Sequence, residues 1–548
     1  MIFFFFKVLI TVSFYTILGR VLVYKIFKSE KNNLIDTSII GIIFASIIPL
    51  IVNFFLPLSL IINSIILFVI FFIFFILKLK LQKIDYLFIL IASLLSFMMI
   101  LYGNEYRPDA GLYHLPYTQI LNEQNITIGL TNIHSRFGHI SIIQYLSAFN
   151  LNIFTNKIGI IIPISIIFSF IYLYFLYDIY RLLNKKEKFS LGKIFSVFIV
   201  VYISYKINRY SEFGNDAPAH LMFFYFISKF IYFKRYSFND ARRAYLYVVY
   251  LFLNKVFFIL TFALLLYFFQ RKKKIILNLI ISLPTLVFGL WILKNVLISG
   301  CMIFPMKITC FDSLKWTNLE LIDYAETEAE AWAKAWPQNT DKKITMDEFT
   351  KNFKWLDAWL SVHFKYIIKI LLPYIIFMIF ILFYIINIKK KSLNNLISNY
   401  KYFLLLLFSL ISTIIFFLKF PIYRYGYSYL IFLFFISSVW CFKFINKQKF
   451  INISKILISI SLIIIISKQL IRYQKNYITK NYLPNHIFID KKKHDKKYVK
   501  YSLSSNFTIY YSENECFYGL APCTNYRYGV DTGKLKYEKK LIFNIIYL

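Results

Sequence analysis

The sequence predicts an all-α membrane protein, because of its composition and its long apolar runs. Hydrophobic residues make up 59% of the 548 residues and charged residues only 16%, whereas water-soluble domains carry roughly 25% charged residues. Apolar runs of about 20 residues recur along the chain, each long enough to cross ~30 Å of hydrocarbon as a helix. The runs do not alternate every second residue, so they favour a helical bundle over a barrel.

The basic residues indicate topology and not nucleic-acid binding. The net charge is +36, which in a soluble protein would suggest a nucleic-acid partner. Here the basic residues form short clusters between apolar runs, for example Lys78 to Lys83 and Arg271 to Lys274. Such clusters stay on the cytoplasmic side of membrane proteins, so no nucleic-acid partner is predicted.

The order of clusters and apolar runs predicts the path of the chain. The first run, Met1 to Tyr24, has no small-residue cleavage site after it, so we predict a span and not a cleaved signal. With the basic clusters inside, the N-terminus lies outside. Full spans are predicted near residues 3–24, 37–55, 59–79, 85–103, 157–180, 192–207, 217–233, 274–298, 366–388, 401–420, 427–446 and 452–471.

Residues 244–270 fit this path badly, because basic clusters at both ends should keep both ends inside. Twenty-seven residues are too few for two full spans, so we predict two half-helices that meet near Asn254-Lys255. A broken backbone is tolerated at membrane depth where it is buried in protein or lines a cavity. The alternative, one ordinary span, would place most later basic clusters outside. The whole bundle then has about 12–14 transmembrane helices.

Six segments follow from this layout. They are N-terminal spans (1–103), an extracytoplasmic acidic and histidine-containing loop (104–156), a central transmembrane module (157–298), an extracytoplasmic loop with an amphipathic helix from Glu320 to Trp336 (299–363), C-terminal spans (364–471) and a small extracytoplasmic tail (472–548).

Four of the five cysteines lie in the segments predicted to be outside. Cys301 and Cys310 fall in the 299–363 loop, and Cys516 and Cys523 fall in the tail. Close pairs on an oxidising side favour two short disulfide loops. A four-cysteine zinc site is the alternative, and both make these residues structural.

The 104–156 loop holds most of the candidate chemistry. It contains Asp109 and His114, and also Arg107, Asn132, His134 and Arg136. Asp109 and His114 are five residues apart and would converge on a turn that leads into a helix. The alternatives are a polar loop without chemistry and, less favoured by the histidine spacing, a metal site.

Three further positions add charge on the same side. Asp216, with Glu212 before it and His220 after it, stands where a span begins, so it is either a helix cap or a second carboxylate in the cavity. Lys255 lies among apolar residues, where ionisable groups are costly and usually functional. Arg424 stands at the outer end of a span and has the geometry to bind phosphate. For both cations, snorkelling towards headgroups is the alternative.

Together these residues resemble the GT-C superfamily, which are multispanning glycosyltransferases that use polyprenyl-phosphate-linked sugars. The correspondence lies in Asp109, Asn215-Asp216, Lys255 and Arg424, and it departs from the superfamily in having four spans before the acidic loop. More closely, the chain resembles an uncharacterised bacterial family over roughly residues 85–530. The matching strings are Asp109-Ala-Gly-Leu-Tyr-His114, Asn132-Ile-His-Ser-Arg136, Ser299-Gly-Cys-Met-Ile-Phe-Pro305 running on to Thr309-Cys310, and Cys516 to Cys523.

The resemblance implies a GT-C-like bundle in the bacterial inner membrane, with an inverting transferase site on the periplasmic face. The donor would be a polyprenyl-phosphate-linked sugar and the acceptor a glycan or lipid. Asp109 would act as general base beside His114, and Arg424 and Lys255 would stabilise the leaving phosphate. The substrate-binding set would be completed by Arg107, Asn132, His134, Arg136, Glu212, Asp216 and His220. No cofactor is certain, although a divalent metal ion near Asp216 or Glu212 stays open.

Two other functions compete with this one. A polysaccharide polymerase or ligase uses Arg and His more than Asp, and Arg136 and His139 keep that function open. A transporter or flippase would show internal repeats and ionisable groups in mid-membrane. The sequence shows no convincing repeat, and most of its charges lie near the predicted interfaces.

Overall fold

The protein is described from a computed structural model. The structure describes residues 1–27, 33–103, 108–184, 189–208, 213–269, 282–341, 343–386, 398–442, 447–477, 483, 488, 498–505, 507–513, 515–525 and 534–548.

Helices dominate the described residues. In chain order they are α1 (Ile2–Leu22), α2 (Leu34–Asn53), α3 (Leu60–Ile76), α4 (Lys83–Ile100), α5 (Leu115–Glu123), α6 (Ile142–Phe149), α7 (Ile162–Leu183), α8 (Leu191–Tyr205), α9 (Asp216–Tyr232), α10 (Phe238–Asn254), α11 (Leu266–Phe269), α12 (Leu283–Ser299), α13 (Leu319–Ala333), α14 (Met346–Thr350), α15 (Leu356–Trp359), α16 (Lys365–Ile386), α17 (Asn399–Lys419), α18 (Tyr423–Phe442) and α19 (Lys447–Tyr477). Helix α13 confirms the amphipathic helix expected in the 299–363 segment, with bounds that differ by a few residues.

Seven helical segments in the described part of the chain are long and apolar enough to cross a membrane. They are Ile2–Lys25, Leu34–Asn53, Lys83–Ile100, Asn156–Leu183, Leu356–Ile379, Tyr400–Lys419 and Lys447–Lys475, and shorter apolar helices cover Leu60–Ile76, Leu191–Tyr205, Val256–Phe268 and Leu283–Ser299. These segments indicate a membrane protein. The expected number of 12–14 spans and their orientation stay predictions.

Helices α1 and α2 cross in close contact because glycines face each other where they meet. A Cβ atom on Gly19 would lie 2.0 Å from the carbonyl oxygen of Thr37, and one on Gly41 would lie 1.9 Å from that of Tyr15. In a lipid bilayer the hydrophobic effect does not drive helices together, so helices associate through close backbone packing at small residues. A hydrogen bond of 3.1 Å from Ser38 to Thr16 adds polar contact to the same interface.

The chain breaks at Asn254–Lys255 as expected, with a helical arm on each side of the break. Helix α10 ends at Asn254, and the chain returns as a 3₁₀ helix, Val256–Leu265, followed by α11. Tyr245 and Phe262 have ring centroids 6.5 Å apart, so the arms are antiparallel. A 3₁₀ helix rises about 2.0 Å per residue against 1.5 Å for an α-helix. Each arm is therefore about 25 Å long. The first arm begins at Phe238, earlier than the expected residue 244.

The C-terminal tail is folded and docked, not a loose extension. Strands β1 (Tyr498–Ser504), β2 (Phe507–Ser512) and β3 (Cys523–Asn525) form one sheet, in which β1 and β2 are antiparallel and β2 and β3 parallel. Strands β4 (Lys536–Lys540) and β5 (Phe543–Tyr547) form an antiparallel hairpin.

Strand β5 attaches the tail to the 104–156 segment. Ile545 pairs with Ile128 in a parallel bridge, and the N–H of Ile546 donates a hydrogen bond to the carbonyl of Ile128 at 3.0 Å. Gly129 has a positive φ of 71° beneath the Ile546 carbonyl, where a Cβ would clash at 2.0 Å. The tail therefore packs directly on the segment that carries the candidate site.

Both expected cysteine pairs are disulfide-bonded, Cys301 with Cys310 and Cys516 with Cys523. This confirms the disulfide prediction over the zinc alternative. Cys441 is free, as its place inside an apolar helix suggests.

Candidate functional site

Four helix ends converge on one cleft. Asp109 precedes α5, Asp216 begins α9, Lys255 follows α10, and Arg424 lies in the first turn of α18. The cleft encloses about 480 Å³, part of it open to solvent. It is lined by Asp109, Tyr113, His114, Phe213, Gly214, Asn215, Asp216, Ala217, Arg424 and Tyr425.

A π-helical turn, Ala110–His114, brings Asp109 and His114 to the same cleft. Its hydrogen bonds join residues five apart, so residues at that spacing lie one turn apart and share a face. The Leu115 N–H donates to the Ala110 carbonyl, and Pro116 has no N–H to offer the Gly111 carbonyl. The convergence expected from the sequence is confirmed, and its cause is this turn.

The C-terminal tail supplies the donor that the π-helical turn lacks. The N–H of Phe517, next to the Cys516–Cys523 disulfide, donates to the Gly111 carbonyl at 2.9 Å. Tyr518 donates its hydroxyl to the side chain of Asn122 in α5 at 3.1 Å. A buried carbonyl without a partner is costly, so the disulfide loop holds the turn that carries Asp109 and His114.

His114 is a neutral side chain with a defined tautomer. The Gln144 carbonyl oxygen accepts from the Ser141 N–H at 2.9 Å, which directs the Gln144 amide nitrogen to Nδ1 of His114. An amide nitrogen only donates, so Nδ1 accepts and the ring proton is on Nε2. Burial, with smaller contributions from Arg424 and Lys255, lowers the pKa of His114 to about 4. His114 is thus suited to donating a hydrogen bond and not to carrying a charge.

Asp216 and Lys255 form an ion pair at the base of the cleft. Their side chains are only 17% and 13% exposed, and the ammonium also lies 3.3 Å from the centroid of the Tyr425 ring. The extended backbone of Lys255 ends α10 there, and Ser141 donates to Asn254 at 2.9 Å beside the break. The cation is therefore placed by the break in the helical hairpin.

Arg424 links the two carboxylates. Its guanidinium lies 2.8 Å from Asp109 and 3.7 Å from Asp216. His220 holds the backbone of this arginine, since its Nε2 donates to the Arg424 carbonyl at 2.7 Å while Nδ1 accepts from the Ser428 hydroxyl at 2.7 Å. Asp109, Arg424, Asp216 and Lys255 form a chain of alternating charge, in which the Asp109 side chain is 32% exposed.

The other candidates from the 104–156 segment have supporting positions. Asn132 donates to the carbonyls of Trp316 and Ile546 at 3.0 and 3.1 Å and ties the loop to the tail. His134 is fully buried, and its Nδ1 accepts from the Arg136 N–H at 3.1 Å. Burial, with the nearby Arg136, lowers the pKa of His134 to about 3.

Arg136 is paired with Glu328 of α13 at 3.0 Å and does not line the cleft. Two of the candidates, Arg107 and Glu212, lie outside the described residues. The residues that sequence reasoning missed are the two tyrosines of the cleft, Tyr113 and Tyr425. Each adjoins a residue that was singled out, but the chain has 44 tyrosines, so no signal separated these two from the rest.

The two carboxylates fit a divalent metal poorly. Asp109 is bonded to Arg424 and Asp216 to Lys255, so cations already occupy the positions where a metal would be held. Within the part of the chain that the structure describes, no group of three His, Cys, Asp or Glu residues is placed to hold a metal ion.

One protein family matches this chain, over residues 1–431, and it is described as a domain of unknown function, DUF8201. The chain therefore belongs to this family. The matched range contains every residue that lines the cleft and ends before α19 and the β-strands of the tail. No curated protein and no solved structure matches the chain.

Proposed function

We propose that this DUF8201 protein is a membrane glycosyltransferase of the GT-C type. It transfers a sugar from a polyprenyl-phosphate donor to a cell-surface glycan or lipid on the non-cytoplasmic face of the bacterial inner membrane. The observation that carries the proposal is the cleft, in which a partly exposed carboxylate, Asp109, is paired with the cation Arg424, while a second cation, Lys255, is paired with Asp216.

Contacts between helix ends support a many-pass orientation with the cleft outside. Arg20 near the end of α1 pairs with Asp85 at the start of α4 at 2.7 Å, next to the predicted cytoplasmic clusters. At the opposite end of α4, Arg472 of α19 donates to the carbonyls of Met98, Met99 and Leu101. The cleft lies beyond this second end, where the positive-inside pattern places the outside.

The charges of the cleft suit a phosphate leaving group. When the donor phosphate enters, Arg424 exchanges its bond to Asp109 for a phosphate oxygen, while Asp216 continues to hold Lys255 and the other side of Arg424. A guanidinium binds phosphate through paired hydrogen bonds. Both cations then lie where negative charge builds on the leaving oxygen.

The same exchange frees Asp109 to act as general base. The acceptor hydroxyl gives its proton to the Asp109 carboxylate, and its oxygen forms a bond to the anomeric carbon. The bond from that carbon to the phosphate oxygen breaks, and polyprenyl phosphate leaves with the electron pair, so the configuration inverts. The Nε2 proton of neutral His114 is available to hydrogen-bond a sugar or phosphate oxygen.

The competing functions receive less support from the site. A polymerase or ligase that relies on Arg136 and His139 would need them in the cleft, but Arg136 is paired with Glu328 and His139 packs edge-on against Phe304. A transporter would need its charges deep in the bundle, and here they lie at helix ends.

Ligand-induced stabilisation of the purified protein tests the proposal. Farnesyl phosphate, a short soluble probe, should raise the Tm, because a ligand that binds only the folded state stabilises it. Farnesol should not, and Arg424→Gln should lose the response. Lys307→Gln, which removes an exposed cation paired with Asp323 outside the cleft, is the matched control and should keep it. Equal shifts with phosphate and alcohol would contradict a phosphate site.

A further inference from the structure

The β4–β5 hairpin ends in a turn of unusual composition. Lys540 pairs with Phe543, so the turn consists of Leu541 and Ile542. Two-residue hairpin turns need positive φ angles and are dominated by Asn and Gly. Leu541 has a φ of +54°, a left-handed conformation that is unfavourable for a residue with a Cβ.

The apolar side chains of the same two residues are also exposed to solvent. The exposed fraction is 92% for Leu541 and 48% for Ile542. Burial of apolar side chains of this size is favourable, and in water neither side chain gains this stabilisation. The tip therefore carries both a conformational cost and a solvation cost, and an apolar environment removes the second.

Hydrogen bonds place this tip beside the end of an apolar helix. The Asn125 side chain donates to the Ile542 carbonyl at 2.9 Å, and the N–H of the next residue, Ile126, donates to the carbonyl of Asn53 at 3.0 Å. Asn53 is the last residue of α2, one of the seven helices suited to cross a membrane.

The loop that follows α2 is apolar and exposed as well, with exposed fractions of 64% for Phe55 and 47% for Leu56. The tip therefore lies at the level where α2 leaves the apolar part of the bundle. Lys539 and Lys540 precede it, and the Lys540 side chain is 66% exposed. Apolar residues flanked by lysines suit the boundary between acyl chains and anionic headgroups.

We propose that Leu541 and Ile542 insert into the interfacial region of the lipid bilayer, on the side of the membrane to which the cleft opens. The hairpin is thereby held at both ends, by lipid at its tip and by Ile128 and Asn132 along β5. This contact fixes the tail over the segment that carries Asp109. The proposal rests on the membrane orientation given under the proposed function and not on glycosyl transfer.

Quenching by spin-labelled lipids tests the insertion. The full-length protein, with the free Cys441 replaced by serine, is reconstituted in phosphatidylethanolamine and phosphatidylglycerol vesicles. An environment-sensitive fluorophore is attached to Leu541→Cys, to Phe68→Cys in the middle of α3, and to Lys536→Cys at the far end of the same hairpin. We expect quenching at 541 within roughly twofold of that at 68, and emission typical of water at 536.

Each alternative outcome of the quenching experiment contradicts a different part of the proposal. Emission typical of water at 541, with quenching at 68, overturns the insertion and leaves the membrane orientation intact. Equal quenching at 541 and 536 overturns the tip as the point of contact. The absence of quenching at all three positions contradicts membrane embedding itself, and with it the proposed function.

A label-free variant removes the influence of the fluorophore. Leu541→Asn with Ile542→Gly installs the preferred turn sequence. In the absence of a bilayer, this double variant should therefore slow hydrogen exchange of β4 and β5. In vesicles we expect the opposite, faster exchange than in the unmodified protein, because the lipid contact is lost. Slower exchange in vesicles would overturn the proposal.

Discussion

Asp216 is the carboxylate that determines how the cleft holds its cations. It lies against Lys255 and within 3.7 Å of Arg424, whereas the ion pair that Asp109 makes among the described residues is with Arg424. On the proposed mechanism, Asp216 holds the cations in place and Asp109 is the carboxylate that a substrate releases. The sequence did not predict this division, since helix capping explains an acidic residue at the start of a helix equally well.

The Asp216–Lys255 pair should behave as a coupled unit. Removing one partner leaves a poorly solvated charge, so Asp216→Asn and Lys255→Gln should each destabilise the protein strongly. The double variant should be more stable than the sum of the two predicts, with a coupling of ~1–3 kcal/mol. A double-mutant cycle on the unfolding of the purified protein measures this, and additive effects would mean that the pair is not formed.

Two buried histidines predict loss of stability in acid. His114 and His134 have pKa values lowered to about 4 and about 3, while an unfolded chain binds the proton near pH 6.5. The stability they contribute is present above that pH and is lost as the pH falls towards the folded values. At pH 5 the loss is ~2 kcal/mol for each histidine.

His134→Asn, which retains an acceptor for the Arg136 N–H, should flatten the dependence of Tm on pH between 7 and 5. The measurement compares the two Tm curves over that range. Parallel curves for the variant and the unmodified protein would contradict the assignment of buried, neutral His134.

At the scale of elements, the loop closed by the Cys516–Cys523 disulfide supports the π-helical turn. Pro116 removes an N–H from the turn, and Phe517 replaces it from a segment about 400 residues later in the chain. Replacing Cys516 and Cys523 by serine should therefore speed hydrogen exchange in residues 108–123. Replacing Cys301 and Cys310 by serine is the matched control and should leave that peptide unchanged. Equal effects from both replacements would contradict a specific support.

The crossing of α1 and α2 should tolerate no side chain. Gly41→Val forces backbone atoms apart, since even a Cβ would lie 1.9 Å from the Tyr15 carbonyl oxygen. We expect a loss of at least ~2 kcal/mol, measured as a lower Tm. Gly289→Ala in α12 is the control, because nothing lies within 4 Å of its Cβ and alanine favours helices. A Gly41 variant as stable as the Gly289 variant would contradict the close contact.

The helices and turns of this protein show which parts of the fold can be predicted from the sequence and which cannot. Apolar runs located the long helices, and the basic clusters at both ends of residues 244–270 predicted the break at Asn254–Lys255, because hydropathy and charge are local properties of the chain. They did not predict the 3₁₀ rise after Lys255 or the π-helical turn after Asp109. Both depend on partners that are distant in sequence, such as Phe517 for Gly111.

The candidate site shows the same difference between local properties, which the sequence predicts, and contacts distant in sequence, which it does not. Lys255 was singled out because it lies among apolar residues, where an ionisable group is costly. Asp109 was singled out in a polar loop, Asp216 at the start of a span and Arg424 at the outer end of a span. Asn132, His134 and His220 were expected to bind substrate, and the structure shows that each also has partners within the protein. Substrate binding by these residues stays a prediction. Sequence alone does not distinguish a polar residue that binds a ligand from one that supports its neighbour.

On the scale of the whole molecule, the described part of the C-terminal tail packs on the segment that carries the candidate site. The tail closes over the 104–156 segment through β5 and supports the π-helical turn through Phe517. The residues that line the cleft come from three separate parts of the chain, 109–114, 213–217 and 424–425, and Lys255 from a fourth part pairs with Asp216. A site assembled in this way depends on the orientation of the complete bundle, and not on any one loop.

The central claim is that this cleft transfers sugars with Asp109 as the base. The most direct measurement is the surface glycan of cells that lack the gene, complemented with the unmodified protein, Asp109→Asn or the exposed control Asp323→Asn. We predict a missing sugar that the unmodified protein and Asp323→Asn restore, while Asp109→Asn loses ~10²–10⁴-fold in transfer rate and fails to restore it. Full restoration by an Asp109→Asn protein present at normal levels would contradict the claim.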